Sequence, residues 1–306
     1  MLNKAQLPSM AILGSTLLWG TFWIPVRELN EAGLGSVWAT SGSFVVPFVV
    51  LLPFALLRWR SIMNSDSPVF IGSILVAAAI AIYAEAFLRG YVAKVMLLWY
   101  LTPIWSSLLG WLLINELITR RRVLAIVLGL VGLVVITGKE SGLPLPREVG
   151  EWMALISGVL WAWGMVYLKQ TASTPIMNRV FLQFAFMGII FWLASLIPGG
   201  TEMTALSFEN LTTILPWLLA FALIWILPLV WLTVYGASAL YPGKVAVLLL
   251  LDIVIGITSA TILTDEPFGI REMVAAVLII GASLVELFDG ATKADSGMLQ
   301  NNGILK

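Results

Sequence analysis

The chain has 306 residues, 60% of them apolar and 11% charged, with 17 basic residues balancing 17 acidic ones and a mean hydropathy of +0.98. It has no cysteine and no histidine, which excludes thiol chemistry, the usual zinc and iron–sulfur sites, haem ligation by histidine and histidine proton relays. The even charge balance, with no basic run longer than Arg120-Arg121-Arg122, argues against a nucleic-acid partner, and no Gly-rich phosphate loop or Gly-x-Ser-x-Gly elbow marks an enzyme.

A soluble domain is about 45–50% apolar and about 25% charged. A membrane span needs about 20 mainly apolar residues to cross about 30 Å of hydrocarbon. Ten stretches meet that need, so the expected fold is all-α, a polytopic membrane protein. Residues 1–8 form a short leading segment, and the first span covers 9–28. It is too long for a signal-peptide core and lacks a small-residue cleavage site. It carries Leu18-Trp19-Gly20, Trp23 and Pro25. The second span, 34–57, contains Pro47 and Pro53 and is flanked by Trp38 and Trp59. The third, 69–88, contains Tyr83 and Glu85. The fourth, 91–114, runs from Tyr91-x-x-Lys94-Val95 through Trp99, Tyr100 and Pro103, with Asn115-Glu116 just beyond it. The fifth, 122–138, holds Gly129 and Gly132, and residues 139–149 connect it to the second half.

The sixth span, 150–170, carries Leu160-Trp161-Ala162, Trp163 and Tyr167. The seventh covers 179–197 and the eighth, with Pro228, covers 211–234. The ninth, 240–263, opens with Tyr241-x-x-Lys244-Val245 and holds Asp252 near its middle. Asp265-Glu266 follows, then a tenth span, 270–288, with Gly281 and Ser283, and a polar tail, 289–306, expected to be disordered.

The second half repeats the first. Tyr91, Lys94, Glu116 and Arg121 are matched by Tyr241, Lys244, Glu266 and Arg271 at one offset of 150 residues, and Trp19 is matched by Trp161 at an offset of 142. Each repeat has five spans (9–138 and 150–288), so a direct repeat must sit upside-down relative to its twin. That is how secondary transporters with inverted halves are built. Ten loop Lys and Arg residues fall on the side of the N-terminus and five on the other, which puts both termini in the cytoplasm.

Leu101-Thr102-Pro103-Ile104-Trp105 followed by Asn115-Glu116-Leu117-Ile118-Thr119 resembles the fourth-span signature of the drug/metabolite transporter superfamily, EamA type. The second copy reads Leu251-Asp252-Ile253-Val254 and Thr264-Asp265-Glu266-Pro267-Phe268, with Ile253 where the first copy has its proline. Among subfamilies, the tryptophan-rich chain looks most like the aromatic amino acid exporters of the YddG type. The resemblance implies ten helices in two inverted five-helix halves, a central substrate cavity near mid-membrane, and residence in the bacterial inner (plasma) membrane.

Asp252 is the sharpest candidate site residue, because a carboxylate in mid-span costs about 2.5–3.5 kcal/mol on insertion scales. It either holds a substrate amino group or exchanges a proton, or it is a scaffold residue held by Thr258 or a tyrosine. Lys244, about 12 Å away along the helix, either attracts a substrate carboxylate or snorkels to the interface. Trp19, Trp23, Trp99, Tyr100, Trp161 and Trp163 lie deep in their spans, where they line an aromatic-selective cavity or fill helix interfaces, with Tyr83 a further candidate. Glu85 and Lys94 are expected to pair and lock the third and fourth spans. Pro103 marks a kink, and Glu116 and Glu266 brace the turns into the next helices. The small residues of spans five and ten serve either a dimer contact or, more commonly, packing within a monomer.

The expected function is export of small organic solutes, above all aromatic or bulky amino acids, by alternating access, with no metal or cofactor. The expected partners are a small-molecule substrate and the lipid bilayer. The alternatives are a drug or other metabolite exporter of the same fold, or a structural or signalling membrane protein without transport. Proton antiport and facilitated diffusion both fit one buried aspartate.

Overall fold

The computed structural model of the chain describes residues 6–29, 31–32, 36–89, 92–137, 146–195, 208–264 and 269–301. Its regular elements, among these residues, are helices, as satisfaction of the backbone inside hydrocarbon requires. The first half contains α1 (Leu7–Gly20), α2 (Trp23–Leu29), α3 (Ser36–Leu57), α4 (Trp59–Met63), α5 (Ser67–Arg89), α6 (Val92–Trp99), α7 (Thr102–Ile114) and α8 (Arg120–Thr137). The second contains α9 (Val149–Lys169), α10 (Ile176–Ser195), α11 (Phe208–Ala220), a π-helical turn (Phe221–Ile226), α12 (Leu227–Ala239), α13 (Pro242–Leu249), α14 (Leu251–Thr264) and α15 (Ile270–Asn301).

Seven stretches among the described residues are long and apolar enough to cross a membrane: Leu7–Leu29, Ser67–Ala86, Lys94–Ile114, Val149–Lys169, Ile176–Leu193, Ile214–Ala239 and Pro242–Leu263. The remaining expected spans coincide with α3, α8 and α15. The apolar part of α3 is the shorter Gly42–Leu57, α8 opens on three arginines, and α15 carries Arg271, Glu272 and Glu286. The last helix continues to Asn301, past residue 288 where disorder is expected to begin. Trp59, Trp152 and Trp217 are 53%, 52% and 71% exposed, as interface residues should be.

Several spans are interrupted, and proline explains most of the breaks. A proline removes its own N–H and crowds the carbonyl four residues back. Pro25 points to Thr21, and the first span breaks at Thr21–Phe22 between α1 and α2. Pro103 points to Trp99, and the fourth span breaks at Tyr100–Leu101. The hydroxyl of Thr102 donates to the freed Trp99 carbonyl. Pro228 points to Ile224, inside the π-helical turn. The only proline of the ninth span, Pro242, opens α13, yet the span breaks at Leu250, 150 residues after Tyr100. Asp252 takes the place of Thr102 there, in the first turn of α14. A carboxylate suits a helix N-terminus and competes locally with helical backbone pairing.

The packing pairs recur when the halves are exchanged. α5 lies against α9 as α12 lies against α1. α10 meets α5 as α3 meets the π-helical turn, and α9 meets α6 and α7 as α1 meets α13 and α14. The contacts α8–α15 and α3–α10 map onto themselves. Between α8 and α15 the approach is close, since a Cβ on Gly132 would lie 2.8 Å from Ile279 Cγ1, and α8 also meets the ninth span, where a Cβ on Gly129 would lie 2.5 Å from Leu250 Cδ1. These small residues therefore serve packing within the chain. Gly281 faces open space instead.

Candidate functional site

The two interrupted spans meet at their breaks. Tyr100, in the break of the fourth span, donates its hydroxyl to Asp252 Oδ1, just after the break of the ninth, at 3.2 Å. Of the two anchors expected for Asp252, the tyrosine is the one in place, and Thr258 is exposed. The end of α1 packs against the main chain of the first turn of α14: a Cβ on Gly20 would lie 2.7 Å from the Asp252 carbonyl oxygen and 2.6 Å from Ile255 Cβ. Only a residue without a side chain lets α1 come that close. On the other side of the exchange, Gly158 of α9 packs against the Trp99 carbonyl, 3.3 Å from its Cβ position. Lys244 is half-buried on the first turn of α13, at the far end of that short helix from Asp252.

Beside this junction, six aromatic rings form a continuous ladder through both halves. Tyr83 stacks on Trp99 with centroids 4.1 Å apart. Trp99 meets Trp161 at 5.8 Å, and Trp161 meets Trp19 edge-on at 6.5 Å and 84°. Trp19 then meets Phe22 at 5.8 Å, and Phe22 meets Phe221 at 5.6 Å. The repeat-related Trp19 and Trp161 sit at its centre, so the ladder crosses where the halves meet. Trp161 is buried, whereas Tyr83, Trp99, Tyr100, Trp19 and Asp252 all keep partial exposure. Tyr83 and Trp99 stack face to face, and the other contacts of the ladder are tilted or edge-on, the geometries aromatic pairs prefer.

Two expected members of the aromatic set lie elsewhere. Trp163 is 40% exposed on the outer side of α9. Residues two apart on a helix do not share a face, so burying Trp161 turns Trp163 outward. Trp23 stands four residues after Trp19, which on an unbroken helix puts both on one face, but the Thr21–Phe22 break resets the register. Phe22 takes the ring contact, and Trp23 donates its indole N–H to Ser259 Oγ at 3.0 Å.

The expected Glu85–Lys94 pair is not formed. Glu85 accepts from Arg89 on its own helix at 2.7 Å, a favourable i,i+4 reach. Lys94 reaches across to the fully buried Glu151 of α9 at 3.0 Å, because α6 packs on α9. Glu116 does brace its turn, but in a buried cluster. Asn115 adopts the left-handed conformation (φ 54°) that asparagine tolerates. The chain then folds back, with the Glu116 N–H donating to the Gly110 carbonyl at 2.9 Å. Thr119 caps α8 through the Arg122 N–H at 3.0 Å. Arg122 then joins Glu116 at 2.5 Å and Glu286 of α15 at 2.6 Å, with all three side chains at most 6% exposed. Gly110 and Gly243 leave the space that these carboxylate and guanidinium groups fill. Glu266 lies outside the described residues.

Several residues went unnoticed in the sequence. Phe22 and Phe221 extend the ladder, and Trp225 of the π-helical turn donates to the Leu18 carbonyl at 2.9 Å. Pro228 was the available signal for that turn. Arg122 and Arg179, which open the fifth and seventh spans in the sequence and are two of the ten cations on the side of the N-terminus, are each 5% exposed inside the bundle.

The sequence model of the EamA-like transporter family matches twice, at residues 7–138 and 148–287. The uncharacterized transporter YvbV of Bacillus subtilis (strain 168) is 29% identical over 187 residues, 59% of this chain and 58% of its own length. The match thus spans less than two thirds of that relative. A protein solved by crystallography superposes with a TM-score of 0.73 over 93% of this chain and 98% of its own, at 18% identity. That likeness is one of fold.

Proposed function

The chain belongs to the EamA-like transporter family, and from that membership we propose that it exports aromatic or bulky amino acids by alternating access. The observation that carries the reading is the aromatic ladder centred on Trp19 and Trp161, beside the Tyr100–Asp252 contact where two spans break. The rings take the apolar side chain of the solute. Aromatic contacts contribute about 0.5–1.5 kcal/mol beyond buried area, roughly two- to tenfold in affinity. Asp252 takes the ammonium group, exchanging it for the Tyr100 hydroxyl. Lys244, in the same span, draws a carboxylate toward Asp252. The discontinuous fourth and ninth spans are the flexing elements, since half-helices at a repeat interface recur in transporters.

The exchange of packing pairs between halves supports two inverted five-span repeats. The bias of loop Lys and Arg toward the side of the N-terminus, eight to five once the buried Arg122 and Arg179 are set aside, supports cytoplasmic termini in a bacterial plasma membrane. The test is efflux of a panel of labelled solutes from proteoliposomes holding only this protein. Efflux of phenylalanine and tryptophan above protein-free vesicles is expected. Efflux of an amine drug without any amino acid would favour the drug-exporter reading instead.

A further inference from the structure

The start of the seventh span holds polar groups that the aromatic ladder and the Tyr100–Asp252 contact leave unused. Arg179 is 5% exposed, and Asn178 and Gln183 are each 1% exposed. Arg179 Nε and Nη1, both amide atoms of Gln183, Asn178 Oδ1 and the hydroxyl of Ser73 on α5 are all buried without a hydrogen-bond partner among the described residues. The Asn178 amide donates to the Ser61 carbonyl and hydroxyl at 3.2 and 3.0 Å, which fixes the start of α10 against α4. Arg179 and Gln183 are one turn apart and so share a helix face.

Arg179 is badly placed for a structural role. A buried cation needs a counter-ion, and none of the ion pairs among the described residues includes it. It also lies in the first turn of α10, where the helix dipole disfavours a positive charge. Arg122, buried to the same degree, is joined to two carboxylates. Among the described residues, Arg179 has no anion beside it.

We propose that Arg179 and Gln183 form a carboxylate-binding site at the Lys/Arg-rich end of the bundle, which takes the carboxylate of a zwitterionic amino acid before it reaches the aromatic ladder. The guanidinium fork matches a carboxylate in two parallel hydrogen bonds. The Gln183 Nε2 amide adds a third donor, and Gln183 Oε1 accepts from the ammonium group. This rests on the exporter reading, in which that end faces the cytoplasm and loads the solute.

The test is calorimetric binding to the full-length protein in nanodiscs of zwitterionic lipid. The probes are phenylalanine against phenethylamine, and alanine against ethylamine, each pair differing by the carboxylate. Wild type is expected to prefer the carboxylate-bearing partner about tenfold or more. Arg179→Gln should abolish that preference, Arg179→Lys should keep part of it, and Arg271→Gln, at an exposed cation, should retain it. Arg179→Met should raise the thermal midpoint of the ligand-free protein, because it removes an uncompensated buried charge. An Arg179-dependent preference for alanine without added affinity for phenylalanine would sustain this site and sink the aromatic reading. Phenylalanine binding with the preference intact in Arg179→Gln would sink the site and sustain the ladder. Binding of no probe would overturn both. A fall in the ligand-free midpoint of Arg179→Met overturns the site, and so does an Arg179-dependent stabilisation by phosphatidylglycerol alone, which would assign the arginine to lipid phosphate.

Discussion

Arg122→Met is the most quantitative perturbation the structure offers. Arg122 joins Glu116, at the end of the fourth span, to Glu286, in the tenth, with N···O distances of 2.5 and 2.6 Å and all three groups buried. Removing the cation leaves two carboxylates facing each other out of water. Breaking a buried pair by deleting one partner costs about 3–5 kcal/mol. At roughly 2–4 °C per kcal/mol for a chain of this order of size, the thermal midpoint should fall by roughly 6–20 °C. The assay is thermal unfolding in detergent, followed by tryptophan fluorescence. Arg271→Met, which breaks the exposed pair with Glu272, is the control and should leave the midpoint unchanged. Combining Arg122→Met with Glu116→Gln and Glu286→Gln should recover much of the loss, because no uncompensated charge remains. A midpoint for Arg122→Met no lower than that of Arg271→Met would refute the reasoning.

Asp252→Asn keeps volume and hydrogen bonding but removes the charge; flux should fall or lose its pH dependence while the protein still inserts and folds, and unchanged flux at every pH would make Asp252 a scaffold residue. Trp163→Ala, on the outer side of α9, should leave transport selectivity unchanged, as read by the phenylalanine-to-alanine efflux ratio. Lys94→Glu should impair stability, and adding Glu151→Lys should restore it, as read by the thermal midpoint; no rescue by the swap would mean that the pair at 3.0 Å does not act as a pair.

The membrane character of the fold was legible because hydrocarbon demands long apolar runs, and the repeat was legible because Lys94 and Lys244 kept their spacing to Glu116 and Glu266. The breaks at Thr21–Phe22 and Tyr100–Leu101 were legible through Pro25 and Pro103. The break at Leu250 was not, because an aspartate and the meeting with the fourth span replace the proline signal. Charge partners were the least legible feature. Glu85 and Lys94 are near in sequence, yet each finds a different partner, Arg89 by helical periodicity and Glu151 by tertiary packing. Arg122 and Glu286 are 164 residues apart, and nothing local announces their contact. Arg122 and Arg179 resembled loop cations because they stand at span edges. Trp163 was grouped with Trp161 by depth alone, although helical geometry sets them on different sides.

The central claim is that the ring ladder at the repeat junction selects the solute. It is tested most directly by the efflux ratio of phenylalanine and tryptophan to alanine from proteoliposomes holding wild type, Trp19→Ala or Trp161→Ala at equal membrane levels. The account predicts that each variant loses aromatic efflux preferentially, by roughly two- to tenfold relative to alanine. Loss of all three solutes in the same proportion would contradict it and reduce the rings to packing elements.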